Sequence, residues 1–382
     1  MADATNKAPG AGLRVKQTTR GLALALAITI TGGCGAPAEQ SQAESELPPR
    51  TPLRDLAAAA PGDTVFYRGL DWPRERYERQ IVEERAALTG ALDAAYPDGG
   101  PFFTDGFHNF DLALEMAGAR SNSAGQPGAA DIQRMQRLLV YTRAFHEQVY
   151  PRFFRYEPRR PFRIVYFRDR ARFRAATRSP AYGFYRPANH ILFSYSGSGH
   201  GTLWHELVHA FAAENSEDSL WPQWFSEGFA SFYEMAFLDD RGQVSEGYAN
   251  WRLPKLQRDI RARRLAPLGT ALLRPYIAFR LQSASATPES SAAGELGYAG
   301  ARMLFCYLWS AGLLEEFVQA VLYDLRPRVA PATAANYRTG LGPAILAKLS
   351  ELTGRSTAEL DQDLRRYALR LRKNQRLPVF DR

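Results

Sequence analysis

The sequence predicts an α+β fold. A mainly helical N-terminal region over residues 51–158 is followed, over residues 159–382, by a small mixed sheet, one distinctive helix and a mainly helical C-terminal part. Three observations carry this expectation. The stretch WPRERYERQIVEERAALTGALDAAY, residues 72–96, is charged and rich in helix formers. The run FRIVYF, residues 162–167, is β-branched and aromatic and follows Pro161, as a strand should. The glycine-rich turn SGSGHG, residues 196–201, opens onto GTLWHELVHAF, whose apolar residues recur at helical spacing. With 382 residues, 45% of them hydrophobic and 23% charged, the chain can build one large domain or two.

The N-terminus reads as an export signal over residues 1–34. Lys7, Arg14, Lys16 and Arg20 form a basic region, and the apolar segment GLALALAITIT, residues 21–31, follows. That segment is shorter than the ~20 apolar residues of a membrane span. The GGC that ends at Cys34 resembles a bacterial lipoprotein signal, in which the cysteine is lipidated. Thr31 stands where that signal has a leucine-like residue, and Ala36-Pro37-Ala38 offers an ordinary cleavage site as the alternative. The expected location is therefore the cell envelope, lipid-anchored to the outer membrane, with a periplasmic or secreted protein as the alternative. Residues 35–50, polar and Ala/Pro-rich, read as a flexible linker.

Further along, a second helix is expected over about 129–150, with Ile132, Met135, Leu138 and Leu139 spaced for one face. SNSAGQPG, residues 121–128, is a loop. AYGFY and HILFSY follow FRIVYF as further strands. Cys306, within MLFCYLW, is expected in the core, and no disulfide is expected. The last helix carries Leu360, Leu364, Tyr367 and Leu371 on one side, a stripe that usually packs on its own domain. The net charge is +8 and almost all of the positive charge is arginine. Ten arginines between Arg152 and Arg178 read as a solvated face. For an exported chain such a charge favours anionic lipid or envelope polymer, and no nucleic-acid partner is expected.

The chemistry concentrates in residues 201–234. On a helix at ~100° per residue, His205 and His209 lie one turn apart and can converge on one ion. Leu203, Leu207 and Phe211 fall on the opposite side. Glu206 points ~60° from His209, beside the ion and not at it, where it can deprotonate a bound water. A catalytic zinc takes three protein ligands and keeps one open position, so a third ligand is required. The segment WPQWFSEGFASFYE, residues 221–234, is a second amphipathic helix opened by Pro222. Phe225, Phe229, Phe232 and Ala236 make its apolar stripe, and Glu227, Ser231 and Glu234 share another face.

HELVH followed by WFSEGFASFYE resembles the gluzincin zinc metallopeptidases, whose third ligand is the glutamate of an N-E-G-like helix after the first. AYGFYRPANHILF and ELGYAGARMLFCYLW resemble the peptidase-MA-like families of exported bacterial proteins. The resemblance covers roughly residues 160–370 and is strong at 201–234. It implies zinc held by His205, His209 and Glu227, with Glu206 as general base, in an enzyme that cleaves a peptide or protein substrate. Ser226 replaces the usual asparagine, and Ser231 stands one turn after Glu227, where some members carry an aspartate that orients a histidine. No G-x-M-E-N segment precedes the motif, so an endopeptidase is expected over an aminopeptidase. Tyr298, 71 residues after Glu227, is the expected oxyanion donor, with His200 as its rival. The substrate is expected to pair with HILFSY as an edge strand. His108, His146 and His190 are read as ordinary surface or core histidines. Two alternatives stand beside this one: a non-catalytic peptidase-fold module that binds an envelope polymer or partner protein, and a protein whose zinc serves folding alone.

Overall fold

The computed structural model describes residues 51–53, 64–67, 70–116, 127–215, 222–273, 297–325, 337 and 339–380. Cys34, the expected export signal and the expected linker over 35–50 lie outside the described residues. The protein is mixed α+β, built around a five-stranded sheet. A small hairpin of β1 (Thr64–Tyr67) and β2 (Leu70–Pro73) leads into α1 (Arg74–Ala95). The hairpin β3 (Phe102–Phe107) and β4 (Phe110–Glu115) is followed by α2 (Ala129–Gln148) and the one-turn α3 (Tyr150–Phe153). Next come β5 (Phe162–Phe167), α4 (Arg170–Thr177), β6 (Phe184–Arg186) and β7 (Ile191–Tyr195). The strand order is β3-β4-β5-β7-β6. The outer pairs β3/β4 and β6/β7 are antiparallel, and β4/β5 and β5/β7 are parallel.

The N-terminal region, residues 51–158, carries α1, α2 and α3, and it also supplies β3 and β4 to the sheet. The sheet crosses the boundary between residues 158 and 159, where β4 pairs in parallel with β5. One expectation is corrected here: HILFSY is not an edge, because β7 lies between β5 and β6, and β6 is the edge strand.

The sheet is covered on both faces, which explains why β4 and β7 are buried along their whole length. Leu112, Leu114, Ile164 and Leu192 face one core with α2 and the helix after β7. Ala113, Val165, Ile191 and Phe193 face the other, with Leu88 and Leu92 of α1 and Phe173 of α4. On α2, Met135 and Leu138 are buried and Leu139 packs against the core as expected, Thr142, Ala144 and Phe145 extend that face, and Ile132 is exposed instead of joining it.

The chain leaves β7 through Gly197 (φ 97°) and Gly199 (φ 83°), a left-handed geometry that favours glycine. It then enters α5 (His200–Asn215). Leu203, Leu207 and Phe211 are buried there as expected, and Trp204 stacks on Phe145 at 4.9 Å. After α5 come α6 (Gln223–Phe232), a 3₁₀ turn (Tyr233–Met235) and the small hairpin β8 (Phe237–Leu238) and β9 (Val244–Ser245). Among the described residues the elements that follow are helices: α7 (Leu253–Arg261), α8 (Leu268–Leu272), α9 (Gly297–Ser310), α10 (Leu314–Gln319) with a π turn after it, α11 (Leu341–Thr353) and α12 (Thr357–Arg370). Helix α12 buries Leu360, Leu364 and Tyr367 against its own domain, and Leu371 just after it is buried too, as the stripe predicts. Cys306 is buried in α9. Among the described residues no helix is long and apolar enough to cross a membrane.

The arginines between Arg152 and Arg178 are less free than a solvated face implies. Arg152 pairs with Glu246 and Glu315, Arg159 and Arg160 with the buried Glu214, and Arg172 with the buried Glu115. They tie β5 and its flanks to α5 and to the helical C-terminal part.

Candidate metal centre

Helices α5 and α6 meet so that the expected ligands face one point. Phe225 and Phe229 of α6 bury against Phe305 of α9, at 5.6 and 5.8 Å between ring centroids. Gly228 makes this approach possible: a Cβ there would sit 2.6 Å from the Phe305 ring and 3.0 Å from the Ala301 carbonyl oxygen. With one face held against α9, the opposite face of α6 presents Glu227 to α5.

His205 Nε2 lies 3.2 Å from His209 Nε2 and 3.4 Å from Glu227 Oε2, and His209 Nε2 lies 3.8 Å from the same oxygen. Three donors on one face of a tetrahedron around an ion with bonds of ~2.0–2.1 Å stand ~3.3 Å apart. The triangle in this chain therefore has the size that a first-row dication needs, and its donors are two imidazoles and one carboxylate. Among the described residues these three form the one group of His, Cys, Asp or Glu side chains with that convergence.

The outer contacts fix both imidazoles. Ser226 Oγ lies 2.9 Å from His209 Nδ1. Glu234 Oε1 lies 3.3 Å from His205 Nδ1, an ion-pair distance that falls short of a well-aligned hydrogen bond. Glu234 is held in turn: Asn250 Nδ2 donates to its Oε2 at 3.0 Å, and Arg252 donates to the same oxygen. Ser231, expected to orient a histidine, does not. Its hydroxyl is fully buried and donates to the Gly228 carbonyl at 3.2 Å, within its own helix. The task passes one turn along, to Glu234 on the 3₁₀ turn. Sequence reasoning placed Glu234 on the right face and passed it over; a carboxylate there was the available signal.

Glu206 is buried beside the triangle. The backbone N–H of Tyr185, in edge strand β6, donates to its Oε2 at 2.9 Å. That N–H therefore points away from β7, and the edge strand positions the carboxylate of the expected base. Burial pushes the Glu206 carboxyl above its ordinary value, against the pull of His205 and His209. For Glu227, burial is outweighed by the two imidazoles, and its carboxyl sits well below the usual carboxylate range. Burial likewise opposes the shift at Glu234, where His205 and Arg252 prevail and hold it at about 2. His205 is raised to about 10: burial would lower it, but its contacts with Glu227 and Glu234 and the charge of Glu206 prevail. Three carboxylates around two imidazoles favour positive charge at the centre, whether carried by protons or by a divalent cation.

Tyr298 opens α9 with its ring 5.7 Å from the Arg252 guanidinium carbon, next to the group that holds Glu234. His200 is directed elsewhere. It stacks on Tyr141 at 4.7 Å, and its Nε2 meets the Ala236 carbonyl at 3.1 Å. His146 is packed among Phe110, Tyr150 and Phe211. His190 meets Tyr185 Oη through Nδ1 at 3.0 Å. No family model matches the chain, and no curated protein sequence matches it.

Proposed function

We propose that the chain is an exported zinc-dependent peptidase of gluzincin type that hydrolyses internal peptide bonds of a peptide or protein substrate. One observation supports this above all: His205, His209 and Glu227 converge at 3.2–3.8 Å with a buried glutamate, Glu206, beside them. A His/His/Glu set suits a catalytic zinc with an open position, whereas zinc that serves folding alone is usually closed by four Cys or His ligands. His205, His209 and Glu227 would hold the zinc ion, which when bound would supply Lewis acidity that makes water a nucleophile near neutral pH.

The chain's own groups do the rest. Glu206 has one oxygen engaged by the Tyr185 N–H and the other available to take the proton of the attacking water. A buried carboxylate in that place can take that proton and hand it to the leaving amine. Tyr298 is the proposed donor to the developing oxyanion. The substrate backbone would lie along β6, not β7, and because the Tyr185 N–H is engaged, its carbonyl is the group that strand can offer. Attachment to the envelope through a lipidated Cys34 belongs to the same proposal and rests on the signal-like N-terminus.

The test is metal analysis together with cleavage of casein or fluorogenic peptides. The wild type should carry one zinc per chain, and a chelator should abolish cleavage. Glu206→Gln should keep the zinc and lose at least about a hundredfold in kcat. Purified protein without stoichiometric metal, or cleavage untouched by Glu206→Gln, defeats the proposal.

A further inference from the structure

Trp251 is the largest apolar side chain left in solvent among the described residues, with 61% of its surface exposed. Its mounting is rigid. The residues on either side both donate to Glu234 Oε2, Asn250 through Nδ2 at 3.0 Å and Arg252 through its guanidinium. Asn250 Oδ1 also accepts from the Arg252 backbone N–H at 3.0 Å, which closes the turn around Trp251. The anchoring carboxylate is the one that faces His205 Nδ1 at 3.3 Å. An exposed indole is thus fixed to the outer contacts of the metal centre.

The surroundings define what this ring can bind. The Arg252 guanidinium covers one face at 4.2 Å, and the Tyr298 ring lies 5.7 Å from the same guanidinium. Glu234 already neutralises that cation. The surface offered is therefore aromatic and without net charge, which suits an apolar ring and gives a carboxylate nothing to pair with. Because the turn is held before any ligand arrives, little side-chain freedom is lost on contact. A large apolar surface kept in water, mounted on the residues that hold the carboxylate behind His205, is what a binding contact requires.

We propose that Trp251, backed by Arg252, is a specificity-determining shelf that takes an aromatic or large apolar side chain of the substrate near the scissile bond. This rests on the peptidase reading above and names the substrate class: peptides with such a residue at one fixed position, in preference to small or acidic ones.

The experiment is a cleavage-site profile by mass spectrometry on an equimolar peptide mixture in which Phe, Ala and Glu are scanned through the positions flanking a common core. Wild type, Trp251→Ala and Trp251→Phe are compared. In parallel, fluorescence anisotropy measures binding of the Phe and Ala peptides to Glu206→Gln with and without Trp251→Ala. Wild type should prefer Phe over Ala and Glu at one position. Trp251→Ala should reduce that preference about fivefold, in the range of one aromatic contact, and Trp251→Phe should restore most of it. Anisotropy should show the same loss for the Phe peptide alone, with zinc content unchanged. Equal Phe/Ala preference in wild type and Trp251→Ala overturns the shelf and leaves the peptidase proposal standing. A wild type that cleaves nothing overturns the peptidase proposal, and the anisotropy arm still decides whether Trp251 discriminates between the peptides.

Discussion

Replacement of Glu234 separates the two ways in which the proposed metal centre could be braced. The resemblance to the gluzincins pointed to Ser231 as the residue that orients a ligand histidine, whereas in the structure Glu234 faces His205 Nδ1 at 3.3 Å and Ser231 bonds within its own helix. Losing an outer partner of a ligand histidine typically weakens metal binding 10- to 100-fold, about 1.4–2.7 kcal/mol. Glu234→Gln keeps the shape and one acceptor but removes the charge that opposes Arg252, so it should fall near the tenfold end. Glu234→Ala removes the carboxylate that faces His205 and the acceptor for Asn250 and Arg252 together and should fall near the hundredfold end. Ser231→Ala gives up one bond to a carbonyl that α6 already uses, so its zinc affinity should stay within about twofold of wild type. The assay is competition for zinc against a chromogenic chelator at pH 7.5, with melting temperatures recorded to confirm folding. Equal weakening by Ser231→Ala and Glu234→Gln, or no weakening by Glu234→Ala, would refute the account of the outer contacts.

Other consequences concern the scaffold. His146 is buried among aromatic rings, neither ring nitrogen is hydrogen-bonded to any of the described residues, and burial, with His108 nearby, lowers it to about 3. Its folded pKa lies below the unfolded value of 6.5, so its contribution is complete above pH 6.5 and is lost as pH falls from 6.5 towards 3, by about 1.4 kcal/mol per pH unit. His146→Phe should flatten the pH dependence of urea stability between pH 6 and 4 by about that slope, and an unchanged slope would contradict the assignment. Gly228→Ala would press a methyl group into Phe305 and the Ala301 carbonyl, so it should cost about 1–3 kcal/mol of stability and weaken zinc binding by displacing α6, and Glu227 with it, from its position against the two imidazoles. Thermal melts with zinc titration check both effects.

The difference between what was legible and what was not can be traced to particular residues. FRIVYF announces β5 because β-branched and aromatic residues suit a strand buried on both faces. FDLALE was lost inside a region read as helical, since Leu, Ala and Glu favour helices in isolation. Its apolar residues at 110, 112 and 114 do alternate, and pairing with β5 overrides the local preference. Its charged residues are tolerated because partners arrive from far along the chain: Asp111 meets Arg85 at 3.2 Å and Glu115 meets Arg172 at 2.8 Å. The order of β6 and β7 was equally hidden, because each short apolar strand carries the same local signal whether it lies inside or at the edge.

Residue order alone determined which side chains share a helical face. His205 and His209 are one turn apart on any α-helix, and Phe225, Phe229 and Phe232 form one stripe, because 3.6 residues per turn is a property of the backbone. Distances between separate elements were decided only by packing. The approach of Glu227 to both imidazoles depends on α6 lying flat against α9 at Gly228, and the placing of Glu206 depends on an edge-strand N–H from residue 185. Glu234, not Ser231, braces His205 because the helix tightens into a 3₁₀ turn and Asn250 and Arg252 fold back onto that carboxylate. Local periodicity is set by covalent geometry, whereas contacts between elements depend on how the whole core closes.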